Sequence, residues 1–304
     1  MADGDPRAEA TVRSLEQGGL PVAAQERLDA LRAQGGRFFT SNLAASELAA
    51  LAPSGFRPLT QVMGSCFYNI GWQWLPGSGY GTTGWSTPYQ EGQTVELETQ
   101  TEAWNEARRL AVGRLREEAV RAGADAVVGV RLRRGTFDWA SGLLEFVAVG
   151  TAVVSRRYDL GPEPVLSNLT GQEFTALFEH GYWPVGLLAA TTVGYVMSGW
   201  TQRSNTTGWR SGRQNQELPD FTNGLSETRA QTVLQLRRQA HEVQAHGIVG
   251  VQLDQSMEDY EREINHTSYR DLIVTVHATG TAIVELERHG EAPPVYIALP
   301  LDEE

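Results

Sequence analysis

Gly123-Ala124-Asp125-Ala126-Val127-Val128-Gly129-Val130-Arg131-Leu132 recurs downstream as Ala245-His246-Gly247-Ile248-Val249-Gly250-Val251-Gln252-Leu253. Both runs are nearly all apolar, the pattern of a strand buried on both faces. A helical pattern leads into each. On one face of the first lie Trp104, Ala107, Ala111, Leu115, Ala119 and Ala122, and on one face of the second lie Leu225, Val233, Leu236, Ala240 and Val243. Spacings of three and four residues are those of an amphipathic helix. Arg108, Arg109, Arg116 and Glu117 on the first helix, and Arg237, Arg238, Gln239 and Glu242 on the second, read as solvated faces. A second strand follows each run, Phe146–Val154 and Val276–Val284. One α-to-β unit is therefore written twice.

The repeats extend upstream. Ser41-Asn42-Leu43 opens the first and Ser167-Asn168-Leu169 the second, 126 positions on. Thr170-Gly-Gln-Glu173 is a capping box that predicts a short helix ending at Gly181, and the first copy keeps Glu47 and Gly55 with Ala44 at the cap. A Pro-led strand follows in each copy, then a long Gly/Ser/Thr-rich connection holding Thr82-Thr83-Gly84-Trp85 or Thr206-Thr207-Gly208-Trp209. Long loops usually carry function or an interface; the alternative is a pair of flaps whose Trp caps the core. The expected organisation is a flexible N-terminal arm at 1–37 with one short helix, copies at 38–157 and 165–288, and a tail at 289–304. Each copy reads as a short helix followed by β-α-β-β, an α+β fold. One helix covers one face of a small sheet, so the other face must meet the sister copy or another chain.

The 304 residues are 41% hydrophobic and 20% charged, a globular composition. A formal net charge of −12 argues against nucleic-acid and anionic-membrane partners. The longest apolar run, around 187–197, falls short of the roughly 20 residues of a membrane span. Cys66 is the single cysteine, which excludes an internal disulfide and a CxxC metal knuckle. With no secretory pattern at the start of the sequence, the expected compartment is cytoplasmic.

The order of Pro-led strand, Gly-rich loop, amphipathic helix, Gly-Ala-Asp-Ala-Val-Val-Gly-Val and Val-x-Gly-Thr-Ala-Val-Val resembles the YbjQ-like family, small bacterial proteins labelled heavy-metal-binding. The resemblance covers about 38–157 and 165–288. The second copy departs at Ala245-His246-Gly247 but keeps Gly250 and Gly280-Thr281-Ala282. It implies a two-layer βαββ unit, similar to a dodecin subunit, that assembles into a cyclic, pentameric ring. Family members carry one unit per chain, so a fused pair leaves the subunit count open.

Little in the sequence points to chemistry. The six histidines (180, 241, 246, 266, 277, 289) all lie in the second half, none at i, i+4 from another, so no transition-metal set is expected. Asp254-x-Ser256-x-Glu258 lacks the glycine and terminal Glu of a calcium loop. Gly79-Tyr-Gly81-Thr-Thr-Gly84 matches GxGxxG but opens no helix, so no dinucleotide site is expected. Cys66 has no histidine in its copy to activate it and reads as a buried, inert thiol. Gly129, Gly150, Gly250 and Gly280 sit in strands and read as structural. Tyr80, Trp85, Tyr89 and Trp209 in the loops, and Tyr296 in the apolar tail strip 295–301, are the candidate interface or ligand residues, since aromatics in exposed segments are typical contact groups. The expected function is a non-enzymatic, ring-forming scaffold without cofactor that binds itself and, through loops or tail, a protein partner. The alternative is a small-ligand or metal-ion protein whose site lies between subunits, built from the Trp-bearing loops.

Overall fold

The structure, a computed structural model, describes residues 5–33, 39–71, 92–137, 140–199, 215–264 and 267–285. The chain is mixed α+β. Its elements are α1 (Pro6–Glu16), α2 (Val22–Ala33), α3 (Ala45–Leu51), β1 (Phe56–Asn69), β2 (Thr94–Glu96), α4 (Glu98–Ala122), β3 (Ala126–Phe137), β4 (Ala140–Ser155), β5 (Val165–Leu166), α5 (Gly171–Glu179), β6 (Tyr182–Val196), α6 (Pro219–Glu242), β7 (Gly247–Ile264) and β8 (Thr267–Glu285). Two four-stranded sheets result, ordered β1-β4-β3-β5 and β2-β6-β8-β7.

The short strands exchange between the copies. β2 lies upstream of α4 yet pairs antiparallel with β6 of the second sheet, and β5 pairs parallel with β3 of the first. α4 likewise serves both sheets. Its Ala107, Ala111, Leu115 and Ala119 are fully buried, and the core beneath it includes Val193, Tyr195 and Met197 of the second copy. Asn105 exchanges two hydrogen bonds with the backbone of Thr191 on β6, at 2.9 and 3.1 Å.

Helix faces depart from simple apolar patterning. α6 buries Gly224, Thr228, Thr232, Leu236 and Ala240, while Val243 is exposed. The buried ridge runs at i+4 and is chosen for size: a Cβ on Gly224 would lie 2.4 Å from Val196, and one on Gly194 would lie 2.2 Å from the Thr228 hydroxyl. The threonine hydroxyls return to the helix, Thr228 donating to Gly224 O at 2.8 Å and Thr232 to Thr228 O at 2.9 Å. On α4, several long charged side chains do not simply face solvent. Arg108, expected on the solvated face, is half-buried and donates to the Thr191 hydroxyl at 3.1 Å. Glu118 is 2% exposed and accepts from Arg27 at 2.6 Å and from Met63 N at 2.9 Å.

The segment expected as a flexible arm holds α1 and α2. Leu20 and Leu28 are buried, and the Arg114 guanidinium donates to the carbonyls of Ser65 (2.5 Å), Gly19 (3.2 Å) and Leu15 (3.4 Å), tying the α1–α2 turn to β1. The polar connections expected at 133–142 and 254–270 are strands. β7 and β8 pair from Gly247–Ile283 out to Ile264–Thr267 as a long hairpin, polar because most of β7 from Val251 to Glu263 is exposed to solvent. Among the described residues no helix is long and apolar enough to cross a membrane.

Candidate functional site

Both copies carry one clamp. In the first, the Ser41 and Thr151 hydroxyls share a hydrogen bond of 3.0 Å, Asn42 N donates to Thr151 Oγ at 3.1 Å, Thr151 donates back to Asn42 Oδ1 at 2.6 Å, and Asn42 Nδ2 donates to Gly129 O at 3.0 Å. In the second, Ser167, Asn168, Thr281 and Gly250 repeat every bond, at 3.0, 3.2, 2.7 and 2.7 Å. The clamped glycines have φ of +66° and +61°, and a Cβ there would lie 2.6 Å from Leu43 or 2.5 Å from Leu169. Each sits in a bulge where the register slips, between Val128 and Arg131 or between Val249 and Gln252. A bulge turns N–H groups out of its own ladder. Across the ladder, Gly150 and Gly280 face the same turn, where a Cβ would lie 2.5 Å from Val127 or 2.6 Å from Ile248.

In the first copy those outward groups are met. Gly129 N donates to Leu169 O and Val130 N to Ser167 O, both at 2.9 Å, while Val165 N donates to Asp125 O and Ser167 N to Val127 O at 3.0 and 2.9 Å. This ladder lays 165–169 along β3, and α5 follows onto α3. Val128, Val153, Leu169 and Phe174 close into a buried core there.

The second copy has the same groove without the cover. Leu169, Ala176, Leu177, Tyr182, Val249 and Ile283 line an apolar hollow of about 660 Å³, with Glu173, His180, His246 and Glu285 also on its walls. β7 is the edge of its sheet, and among the described residues no strand pairs with its outer side. Val128 is fully buried, whereas Val249, 121 positions later, is only half-buried. Apart from that cover the copies agree: Asp125 accepts the Ser155 N–H at 2.8 Å, and His246 Nδ1 accepts the Glu285 N–H at 3.0 Å.

A second hollow of about 830 Å³ lies at the seam between copies, walled by residues including Trp104, Arg134, Glu258 and His277. Trp104 meets the His277 ring edge-on, with centroids 5.1 Å apart, and Arg134 pairs with Asp254. Burial, helped by Arg134 and Arg108, pushes the His277 pKa down to about 2, so the ring is neutral. Its Nδ1 lies 2.9 Å from Thr191 Oγ, but Thr191 is 1% exposed and meets no substrate. Deeper, Asp271 accepts from Arg262 (2.5 Å), Tyr195 (2.6 Å) and Ser198 (2.9 and 3.0 Å). This network pins the β7–β8 hairpin near its tip, where β6 ends, and holds no group open to a ligand. Cys66 is buried, which pushes its thiol up and keeps it un-ionised. Among the described residues no group of three His, Cys, Asp or Glu is placed to hold a metal.

Tyr80, Trp85, Tyr89, Trp209 and Tyr296, the aromatics singled out in the sequence, lie outside the described residues. Sequence reasoning does not find the groove or the Ser-Asn-Leu clamp as a site. Their one sequence signal is the recurring tripeptide, which looks there like a boundary marker.

The family described as "Putative heavy-metal-binding", the YbjQ-like family, matches residues 93–156 and 211–285, once in each copy. The chain carries two tandem YbjQ-like copies. The Mycobacterium tuberculosis protein named encapsulin nanocompartment protein Rv1762c is 29% identical over 297 residues, 95% of this chain and 100% of that protein. Proteins named UPF0145 from Clostridium perfringens and Thermotoga maritima are 44% and 45% identical over 59 and 58 residues, 19% of this chain and 54% and 53% of theirs. No solved structure matches.

Proposed function

We propose that the protein is a non-enzymatic, self-assembling scaffold of the cytoplasm, in which the βαββ layers of the YbjQ-like copies associate into a closed ring, pentameric as the family resemblance implies. The observation that carries this reading is the end-to-end likeness to a protein named for a nanocompartment, which spans both copies and the arm that precedes them. The chemistry of the interior agrees with it. The main buried polar clusters are spent on structure: Asp271 on Arg262 and Tyr195, Glu118 on Arg27, and the two Asn-Thr pairs on their bulges.

Native mass spectrometry of the purified protein tests the reading. One closed assembly of defined count is expected, holding no retained ligand mass. A monomer at micromolar concentration removes the scaffold reading, and a bound mass of fixed stoichiometry replaces it with ligand binding.

A further inference from the structure

We propose that the open groove of the second copy receives the Phe39–Leu43 segment of another molecule of the same chain, as a parallel strand beside β7 with α3 following over the hollow. The inference rests on the scaffold reading and gives its joint.

The chain already contains this joint once. Residues 165–169 lie along β3 through four backbone hydrogen bonds, to the carbonyls of Asp125 and Val127 and from the N–H groups of Gly129 and Val130. The groups 121 positions later are the carbonyls of His246 and Ile248 and the N–H groups of Gly250 and Val251. They stand on the same bulge with the same glycine conformation, at the uncovered edge of the sheet. Val251 is 47% exposed where Val130 is 3% exposed. The apolar character of 247–251 is that of a strand buried on both faces, yet α6 covers only one.

The inserting segment is also made and waiting. Ser41-Asn42-Leu43 holds Thr151 and Gly129 with its side chains as Ser167-Asn168-Leu169 holds Thr281 and Gly250, so its backbone is set in the pairing conformation before any partner arrives. The residue in the place of Val165 is Phe39, 41% exposed here, whereas Val165 is 8% exposed. Strand addition of this kind draws affinity from main-chain bonds and specificity from alternate side chains. Two substitutions set its limits. Ala45 stands where Gly171 stands, and a Cβ at Gly171 would lie 2.4 Å from Glu47 O, so α3 of the incoming molecule sits further from α5 than α5 sits from α3. Leu48 stands where Phe174 fills the core, leaving a smaller plug. The strand, not the helix, carries the joint.

Groove and segment are different surfaces of one chain, so the contact is head-to-tail and propagates until it closes. That polarity supplies the test. Phe39→Asp spoils only the segment and Ala176→Arg only the groove, both at sites that are exposed or half-buried within one molecule. Each variant, checked for a wild-type melt, is expected to sediment as single chains, and a 1:1 mixture is expected to give dimers and nothing larger, because one good head meets one good tail. Continued assembly of either variant overturns the proposal, and so does a mixture that stays monomeric. If residues 295–301 of the same chain fill the groove instead, Phe39→Asp assembles as wild type does, which is also an overturning result. Wild type assembling while both variants assemble would leave the scaffold reading standing and remove this joint alone, whereas monomeric wild type removes the scaffold reading itself.

Discussion

The backbone N–H of Val130 donates to the carbonyl of Ser167 at 2.9 Å, across the boundary between the two copies. The Ser167 side chain meanwhile bonds Thr281, 3.0 Å away in the second sheet. One serine thus joins an edge of the first sheet to the interior of the second. The two copies are thereby locked together through backbone and side chain alike.

Equivalent valines should respond differently to charge. Val128 is fully buried, so Val128→Asp forfeits roughly 1.5–3 kcal/mol of burial and several more for an unpaired carboxylate, and soluble folded protein should be lost. Val249 is half-buried at the open groove, so Val249→Asp should fold with a reduced melting temperature and lose association first. Thermal melts alongside sedimentation check both, and equal damage from the two substitutions would contradict the difference in cover.

The bulge glycines should resist replacement. At φ of +66° and +61°, Gly129→Ala and Gly250→Ala each store about 1–3 kcal/mol of backbone strain, and the new methyl also meets Leu43 or Leu169. Urea denaturation should show the loss for both. A neutral outcome would mean that the left-handed conformation is not required there.

Breaking the Asp271 network should cost more than trimming it. Arg262 is 8% exposed and Asp271 fully buried, so Asp271→Asn strands a buried cation at about 3–5 kcal/mol. Tyr195→Phe removes one hydrogen bond to a charged acceptor, about 1.5–3 kcal/mol. Burial, and then the bond to Asp271, keep the Tyr195 hydroxyl protonated far above its ordinary range, so neither difference should change between pH 7 and 9. Denaturation of the two variants in parallel at both pH values settles the order.

His277 gives the stability a pH slope. Its folded pKa lies near 2, below the ordinary value of 6.5, so the unfolded chain binds the extra proton first. The stability it contributes is complete above pH 6.5 and is lost progressively as pH falls toward 2, by up to about 1.4 kcal/mol per pH unit. Stability curves between pH 7 and 4.5 should be steeper for wild type than for His277→Gln by that amount. Parallel curves would mean that the ring is not held neutral.

Because one unit is written twice, much of the fold is legible in the amino-acid sequence. Ala107, Ala111, Leu115 and Ala119 are readable as a buried stripe because their spacing is local. α6 is harder, because its buried ridge is selected for small volume, and Gly224, Thr228 and Thr232 do not look apolar. The exchange of β2 and β5 leaves no trace, since strands of two or three residues have no period to detect. The clamp is visible only as a tripeptide written twice; its partners Thr151 and Thr281 lie more than a hundred residues away, and no local pattern connects them. Arg108 and Glu118 show the same limit, as long side chains whose partners only the assembled fold supplies.

Fusing the copies changes how the joints respond to dilution. The link from Arg156 to Pro164 holds the 165–169 strand beside its groove on β3, so that joint forms within one molecule at an effective concentration that a short tether sets in the millimolar range. The joint proposed at β7 has no such tether and follows the total protein concentration. In a closed assembly of these chains every second joint would be insensitive to dilution, and the species left on diluting it would be the covalently paired copies, never a lone one.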